Sequence, residues 1–449
     1  MLRPQLWEDR ALRYALLAAA AASFLVSGCS GRGQGEFPLQ YVDAKENDPL
    51  VSRVTVYWYG QACDPASFKL TLVTRSGPNA ALMPKELGPV SLPKGLSAKA
   101  FYFVLEQGGC KTFVVVDAAS PPKLYIDTAG TFDLSAVQPL VGSGSLDAGD
   151  LVFGPASVPV LGPEGKTRSV KVRFCGSKEG PLLQLGGSVA GYMAGEVKLD
   201  GQTYRVAVVD RGLRGRYDAA ADSSNQDSDS ESKPAYFAID VDGDGRFSQR
   251  YGPGESMLLR RGVCVKDKYY RVHVKPDGSS ITFEPIEPRF GTLDIGLANA
   301  ALMLNYDYGV LKLSGNAEGQ WKVPAGAYQV YGIQVSRTDA AGTEWKIHDA
   351  GQRGRLEHFE IRGGETFAVR AGPPLEGKVD VKFSDASRSD GKGVGREASI
   401  GFTLIGQAGE RYAGGAMKGD SRSPPPKFRI LNEAGKVLAA SQFEYGKYG

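Results

Sequence analysis

The sequence predicts an all-β protein made of several tandem β-sandwich-like domains behind a signal peptide and a flexible tether. Three observations carry this expectation. The 449 residues include 58 glycines, 26 prolines, 20 tyrosines and 19 phenylalanines, a composition that favours many short strands and tight turns. Apolar and polar residues alternate over short runs, the period of a half-buried strand. Beyond the first 28 residues there is no long helical pattern and no stretch near the roughly 20 apolar residues that a spanning helix needs.

The N-terminus pairs Arg3, Arg10 and Arg13 with an apolar run from Tyr14 to Val26, the two-part layout of a secretory signal peptide. The run ends in Val26-Ser27-Gly28-Cys29, which resembles the lipobox of bacterial lipoproteins. The resemblance implies removal of residues 1–28, acylation of Cys29 and a lipid anchor in the cell envelope. In that family an aspartate after the cysteine often retains the protein at the inner membrane. Ser30 stands there instead, which makes the outer membrane the expected destination. The competing reading is an ordinary small-residue cleavage site with an incidental cysteine.

Residues 29–50 are Gly-rich and polar, a tether. A first β domain is expected over 51–165, with strand-like runs at Val54 to Tyr59, Phe101 to Leu105 and Phe113 to Val116. A second, over 166–294, opens on the alternating Val170-Lys171-Val172-Arg173-Phe174 and continues through Tyr204 to Val209 and Tyr270 to Val274. Its acidic, Ser-rich insertion from Ala219 to Lys233, with Asp222, Asp227, Asp229 and Glu231, is too polar to pack. In the third, over 295–375, Trp321-Lys322-Val323-Pro324-Ala325-Gly326-Ala327-Tyr328 resembles the strand-turn-strand signature of carboxypeptidase-regulatory-like, transthyretin-like β-sandwiches. That resemblance implies a structural or binding module in which Pro324 and Gly326 set the turn and Tyr328 returns to the core. A last β domain is expected over 376–449, with strands at Val379 to Phe383 and Ile400 to Ile405 and an edge or connection at Pro424-Pro425-Pro426.

Formal charge is +3 for the whole chain. Removing three basic and two acidic residues with residues 1–28 leaves 50 against 48, or +2, so nothing here has the basic excess of a nucleic-acid binder. With Cys29 acylated, four cysteines remain, Cys63, Cys110, Cys175 and Cys264. Three pairings are open to them in an oxidising compartment. Pairing Cys63 with Cys110 and Cys175 with Cys264 keeps each bridge inside one expected domain, and four free thiols is the other reading.

The sharpest motif is Asp240-Val241-Asp242-Gly243-Asp244-Gly245-Arg246-Phe247-Ser248, which resembles the start of an EF-hand calcium loop. Asp240, Asp242 and Asp244 offer alternate carboxylates to one hard cation, Arg246 its backbone carbonyl, and Ser248 a contact through water. The bidentate glutamate of the twelfth position is replaced by Tyr251, and a strand-like run precedes the loop, so further ligands such as Glu255 would come from elsewhere. The competing reading is a tight turn, because Asp side chains cap turns through their own backbone. Two weaker copies, from Asp210 through Gly215 to Tyr217 and from Asp127 through Gly130 to Phe132 and Leu134, lack the carboxylate series and read as turns.

Catalytic patterns fail on their requirements. Gly165-Lys166-Thr167 lacks the glycine of a phosphate loop, since Val160 stands in its place. Ser91-Leu92-Pro93-Lys94 lacks the companion motifs of a serine-lysine pair. His273 lies within a strand pattern, while His348 and His358 lack the helical spacing of a zinc pair. Gly391-Lys392-Gly393-Val394-Gly395 lacks dinucleotide spacing. The expectation is a non-enzymatic envelope lipoprotein for binding, adhesion or scaffolding, stiffened by calcium. The alternative is an extracytoplasmic hydrolase of glycan or peptide, because paired acids far apart in sequence leave no local trace.

Overall fold

The computed structural model describes residues 35–45, 48, 50–51, 56–62, 71–74, 83–86, 91–107, 109–146, 149–162, 164–179, 182–221, 234–247, 255–349, 351–387, 394–419 and 421–444. The expected signal peptide, Cys29, Cys63, Ser248, Tyr251, residues 222–233 of the acidic insertion and 391–393 of the Gly-rich run lie outside them. The described chain is all-β, with several separate sheets.

The largest N-terminal sheet runs in the antiparallel order Ser143–Gly144, Leu151–Leu161, Thr167–Glu179, Leu182–Val189, Val56–Ala62, Ala100–Gln107, Cys110–Asp117, Lys123–Ile126, Leu140–Val141. Its first and last members are separated in the chain by Gly142 alone, so the two edges come together there and the sheet wraps round its own core as a barrel, with no ladder between those edges among the described residues. A Cβ on Gly142 would run into the Phe153 ring and the Val152 carbonyl, which is why the seam carries glycine. Phe103, Leu105, Val114, Val116, Phe153, Val172, Phe174 and Leu185 fill the interior. Full burial of such side chains is worth roughly 1.5–3 kcal/mol each. The outward face of the middle strands is covered too: Tyr102, Phe113, Val115 and Tyr125 pack beneath Leu134 and the flanking Leu92, Leu96 and Phe132. Two buried faces explain why Phe113 to Val116 reads as a continuous apolar run.

A sandwich stands against the barrel. Its five-stranded sheet has the order Ser256–Leu258, Tyr236–Ile239, Gln202–Val209, Gly191–Leu199, Gln40–Asp43. Its four-stranded partner has the order Gly35–Pro38, Ser280–Ile286, Lys268–Val274, Gly262–Val265. Along Gln202–Val209 the period of two divides two cores. Tyr204, Val206 and Val208 face the sandwich interior with Val272, Ile281 and Phe283. Ala207 and Val209 belong to the barrel's cluster. The five-stranded sheet is therefore a shared middle layer.

This arrangement differs from the expected boundaries. Residues 35–43, placed in the tether by composition, form two strands, one in each sheet of the sandwich, crossing between them at the buried Leu39. Thr167–Glu179, expected to open a second domain, completes the barrel.

The C-terminal part is a second sandwich. A three-stranded sheet, Gln320–Pro324, Phe290–Asp294 and the parallel Thr366–Ala368, packs over a larger sheet through Leu293, Leu302, Leu304, Tyr328, Val330 and Ile361. The larger sheet has the order Gly309–Leu313, Ala300–Tyr306, Gly326–Thr338, Glu344–Asp349, Arg411–Lys418, Val394–Ile405, Glu376–Ser387, with His358–Ile361 on the side of Gly326–Thr338. Phe290–Asp294 thus belongs here, and the strands after 376 continue this sheet. The Pro324-Ala325-Gly326 corner carries the chain from one sheet to the other. Tyr328 is buried, and its hydroxyl donates back to the Pro324 carbonyl at 2.5 Å. Its ring stacks between Tyr306 and Phe359, with centroids 5.6 and 5.4 Å away. The three prolines at 424–426 form the connection before the hairpin Lys427–Leu431/Val437–Gln442.

Candidate metal centre

Each aspartate loop begins where a strand ends and its first side chain turns inward. Asp127 follows Lys123–Ile126, Asp210 follows Gln202–Val209 and Asp240 follows Tyr236–Ile239, and all three carboxylates are buried. A buried carboxylate must be hydrogen-bonded, and the loop supplies the donors. The N–H five residues on reaches Oδ2 in every case: Phe132 to Asp127 at 2.6 Å, Gly215 to Asp210 at 2.6 Å and Gly245 to Asp240 at 3.0 Å. Oδ1 takes an earlier N–H, from Ala129 at 3.1 Å, Gly212 at 3.1 Å and Gly243 at 2.7 Å. Seven residues on, an apolar side chain drops toward a core: Leu134, Tyr217 and Phe247. The first aspartate of each loop therefore organises a turn.

At Asp210 the turn is all there is. Arg214 donates a further backbone N–H at 2.6 Å, and Arg216 another at 3.4 Å. Burial pushes the Asp210 carboxyl up to about 6, against the N–H groups of Gly215, Arg214 and Arg216, which favour the carboxylate.

The 240 loop carries more than a turn. Asp242 accepts the Asp244 N–H at 3.0 Å and Asp244 accepts the Arg246 N–H at 2.7 Å, which curls the backbone so that exposed Asp242 and Asp244 rise beside buried Asp240. Carboxylate oxygens of all three lie within 4.8 Å of one another. Two oxygens bound to one calcium-sized ion at 2.3–2.6 Å can stand at most about 5 Å apart, so the group can hold a hard cation.

Two neighbours fix the loop. Buried Glu255 accepts the N–H groups of Val241 and Asp242 at 3.2 and 3.4 Å, while its own carbonyl accepts the Ile239 N–H at 2.6 Å. Its carboxylate thus braces the backbone on which the ligands sit. Arg205, one strand over, donates to the Gly245 carbonyl at 2.7 Å, accepts the Asp240 N–H at its own carbonyl at 2.9 Å, and lies over the Phe247 ring. Phe247 meets Tyr192 edge-on at 6.4 Å. Sequence reasoning misses Arg205, which lies far upstream. Only the pairing of Val206 with Ile239 brings it to the loop. Arg246, expected to offer its carbonyl, is exposed within the loop.

The other expected residues are scattered. Cys110, Cys175 and Cys264 are free thiols, so the expected bridge between Cys175 and Cys264 is not formed in this structure. The two lie in different sheets, one in a barrel strand and one in the four-stranded sheet of the sandwich. Burial pushes the Cys175 thiol up, and the nearby Asp150 adds to this. Gly165-Lys166-Thr167 is the hairpin turn between two barrel strands, with Gly162 N–H donating to the Lys166 carbonyl at 2.8 Å. His273 is an exposed position of Lys268–Val274. Compared with known protein families, curated proteins and solved structures, the chain matches no family model, no curated protein and no solved structure.

Proposed function

We propose that this chain is a lipid-anchored envelope protein whose barrel and sandwiches serve binding, adhesion or scaffolding, with calcium as a structural ion on Asp240, Asp242 and Asp244. The observation that carries the reading is the convergence of those three carboxylates on a loop braced by Glu255 and Arg205 and pinned to the shared core by Phe247. Hard oxygen donors of this kind suit calcium better than softer metals. An ion there would cancel the repulsion among clustered carboxylates and lock the end of the middle layer that joins barrel to sandwich. The lipid anchor rests on the lipobox-like sequence ending at Cys29, and no feature favours nucleic acid as a partner.

The test is thermal unfolding of the full chain with and without calcium, wild type beside Asp242→Ala. An ion that binds only the folded state stabilises it by about 2.7 kcal/mol at a hundredfold excess over its Kd. A calcium-dependent rise in Tm that disappears in Asp242→Ala is expected. No rise with wild type at millimolar calcium removes the metal from the reading and leaves the loop as a turn. The anchor is tested separately, by incorporation of labelled palmitate into wild type and into Cys29→Ser. Equal labelling of the two, or none in wild type, removes it.

A further inference from the structure

The strand Glu376–Ser387 is the outermost member of the C-terminal sheet, and among the described residues its ladder runs only to Val394–Ile405. Together they form a ribbon that leaves the sheet, for only Leu404 and Ile405 pair onward, with Tyr412 and Arg411. A two-stranded ribbon is marginal in water on its own, and this one is sharply two-faced. Val379, Val381 and Phe383 stand opposite Phe402, Ile400 and Ala398 on one face, while Lys378, Asp380 and Lys382 occupy the other. Val379 is 56% exposed and Val381 49%. Long, flat edges with outward apolar residues are what sheet proteins usually guard against.

We propose that this edge pairs with the same strand of a second copy of the chain, antiparallel about a two-fold axis at Val381. Charge complementarity selects the second copy as occupant. Along the polar face the sign alternates: Glu376 negative, Lys378 positive, Asp380 negative, Lys382 positive. An antiparallel two-fold centred on a polar position sets like charges opposite, for instance Asp380 on Asp380 and Lys378 on Lys382. Centred on Val381, it sets Asp380 opposite Lys382 twice. On the other face it sets Val379 opposite Phe383 twice and Val381 opposite itself. A two-fold at Val379 also matches charge, yet it places Gly377 opposite Val381 and loses those apolar pairs. Within one copy Asp380 reaches Lys378 at 3.7 Å, both of them well exposed, an ion pair of little worth that is readily exchanged. Pairing of this kind is isologous, closes as a dimer and satisfies the open edge with backbone hydrogen bonds. It goes beyond the proposed function and does not depend on the metal loop.

Sedimentation velocity on the full chain in density-matched detergent, from low to high micromolar, tests the proposal. A concentration-dependent dimer is expected for wild type. Asp380→Lys places lysine opposite lysine on both sides of the axis and should raise the dimer Kd at least about tenfold. The exchange Asp380→Lys with Lys382→Asp restores unlike pairs and should restore the dimer, and this rescue separates a pairing effect from misfolding. Oxidised Val381→Cys should give a covalent dimer joined through position 381, read by mass spectrometry. A wild type that stays monomeric throughout, or a dimer that Asp380→Lys leaves unchanged, overturns the proposal.

Discussion

Replacing Asp210 with asparagine removes one titration from the fold, and its coupling to stability follows from the loop. The carboxyl is held at about 6 in the folded chain, against an ordinary value of 3.8. Below about pH 4 it is protonated in both folded and unfolded chains. Between about pH 4 and 6 the unfolded chain has released the proton and the folded chain retains it, so stability falls as pH rises. Above about 6 both forms are ionised and the loss is complete. A displacement of about two units, at about 1.4 kcal/mol each, amounts to about 3 kcal/mol. Asparagine carries no such titration, but its amide nitrogen must face N–H groups that a carboxylate oxygen accepts in wild type, from Gly212 or from Arg214 and Gly215. That mismatch adds to the variant a destabilising contribution that does not change with pH. Urea unfolding of both proteins from about pH 4 to about pH 7 measures the difference, wild type minus variant. It should shrink by about 3 kcal/mol across that range. A difference that grows with pH would mean that the backbone donors outweigh burial and hold the carboxyl low, refuting the reasoning.

Three further outcomes follow from the same structure. Tyr328→Phe keeps the stack on Tyr306 and Phe359 but strips the Pro324 carbonyl of its donor, and denaturant unfolding should show a loss of about 1–2 kcal/mol. Gly243 and Gly215 both have positive φ, but a Cβ on Gly243 meets open space and one on Gly215 meets Val160 Cγ2 at 2.7 Å. Gly243→Ala should therefore cost about 1 kcal/mol and Gly215→Ala about 2–4 kcal/mol by the same measurement. Cys175 is exposed, yet its thiol is pushed up by burial around the sulfur and by Asp150. Iodoacetamide should label it more slowly than a free thiol at mildly alkaline pH, and Asp150→Asn should speed the reaction.

Several strands were legible because a short alternating or continuously apolar run is written in each of them. Val170 to Phe174, Tyr204 to Val209 and Tyr270 to Val274 all fall inside observed strands. Their partners were not, because pairing is set by surfaces remote in the chain. Val56–Ala62 sits between Leu182–Val189 and Ala100–Gln107, and no local pattern around Val56 points there. The observed sheets run across the expected boundaries for that reason. A run such as Val206 to Val209 shows that both faces are buried, but not that one faces the barrel and the other the sandwich. In the aspartate loops the spacing of acid, glycine and anchor could be read directly, and so could the convergence of Asp240, Asp242 and Asp244. That Glu255 braces the backbone and Arg205 reaches in from a neighbouring strand depends on strand register, which spacing does not contain. Counting cysteines likewise gives parity and no positions, and Cys175 and Cys264 fall in different sheets.

A chain made from its N-terminus onward meets these pairings late. Gly35–Pro38 has no ladder until Ser280–Ile286 exists, and Val56–Ala62, paired at two positions with Ala100–Gln107, gains its longer ladder only with Leu182–Val189. Hairpins such as Ala100–Gln107 with Cys110–Asp117 close locally, but loop-closure entropy opposes these two ladders until their distant partners are present. A nascent segment that stops short of residue 280 holds an incomplete sandwich and bare strand edges, the state in which β proteins aggregate. The barrel's strands are all present once Val189 is made, whereas the sandwich waits for Ser280–Ile286, so the first described strand of the chain is among the last of that half to find its ladder.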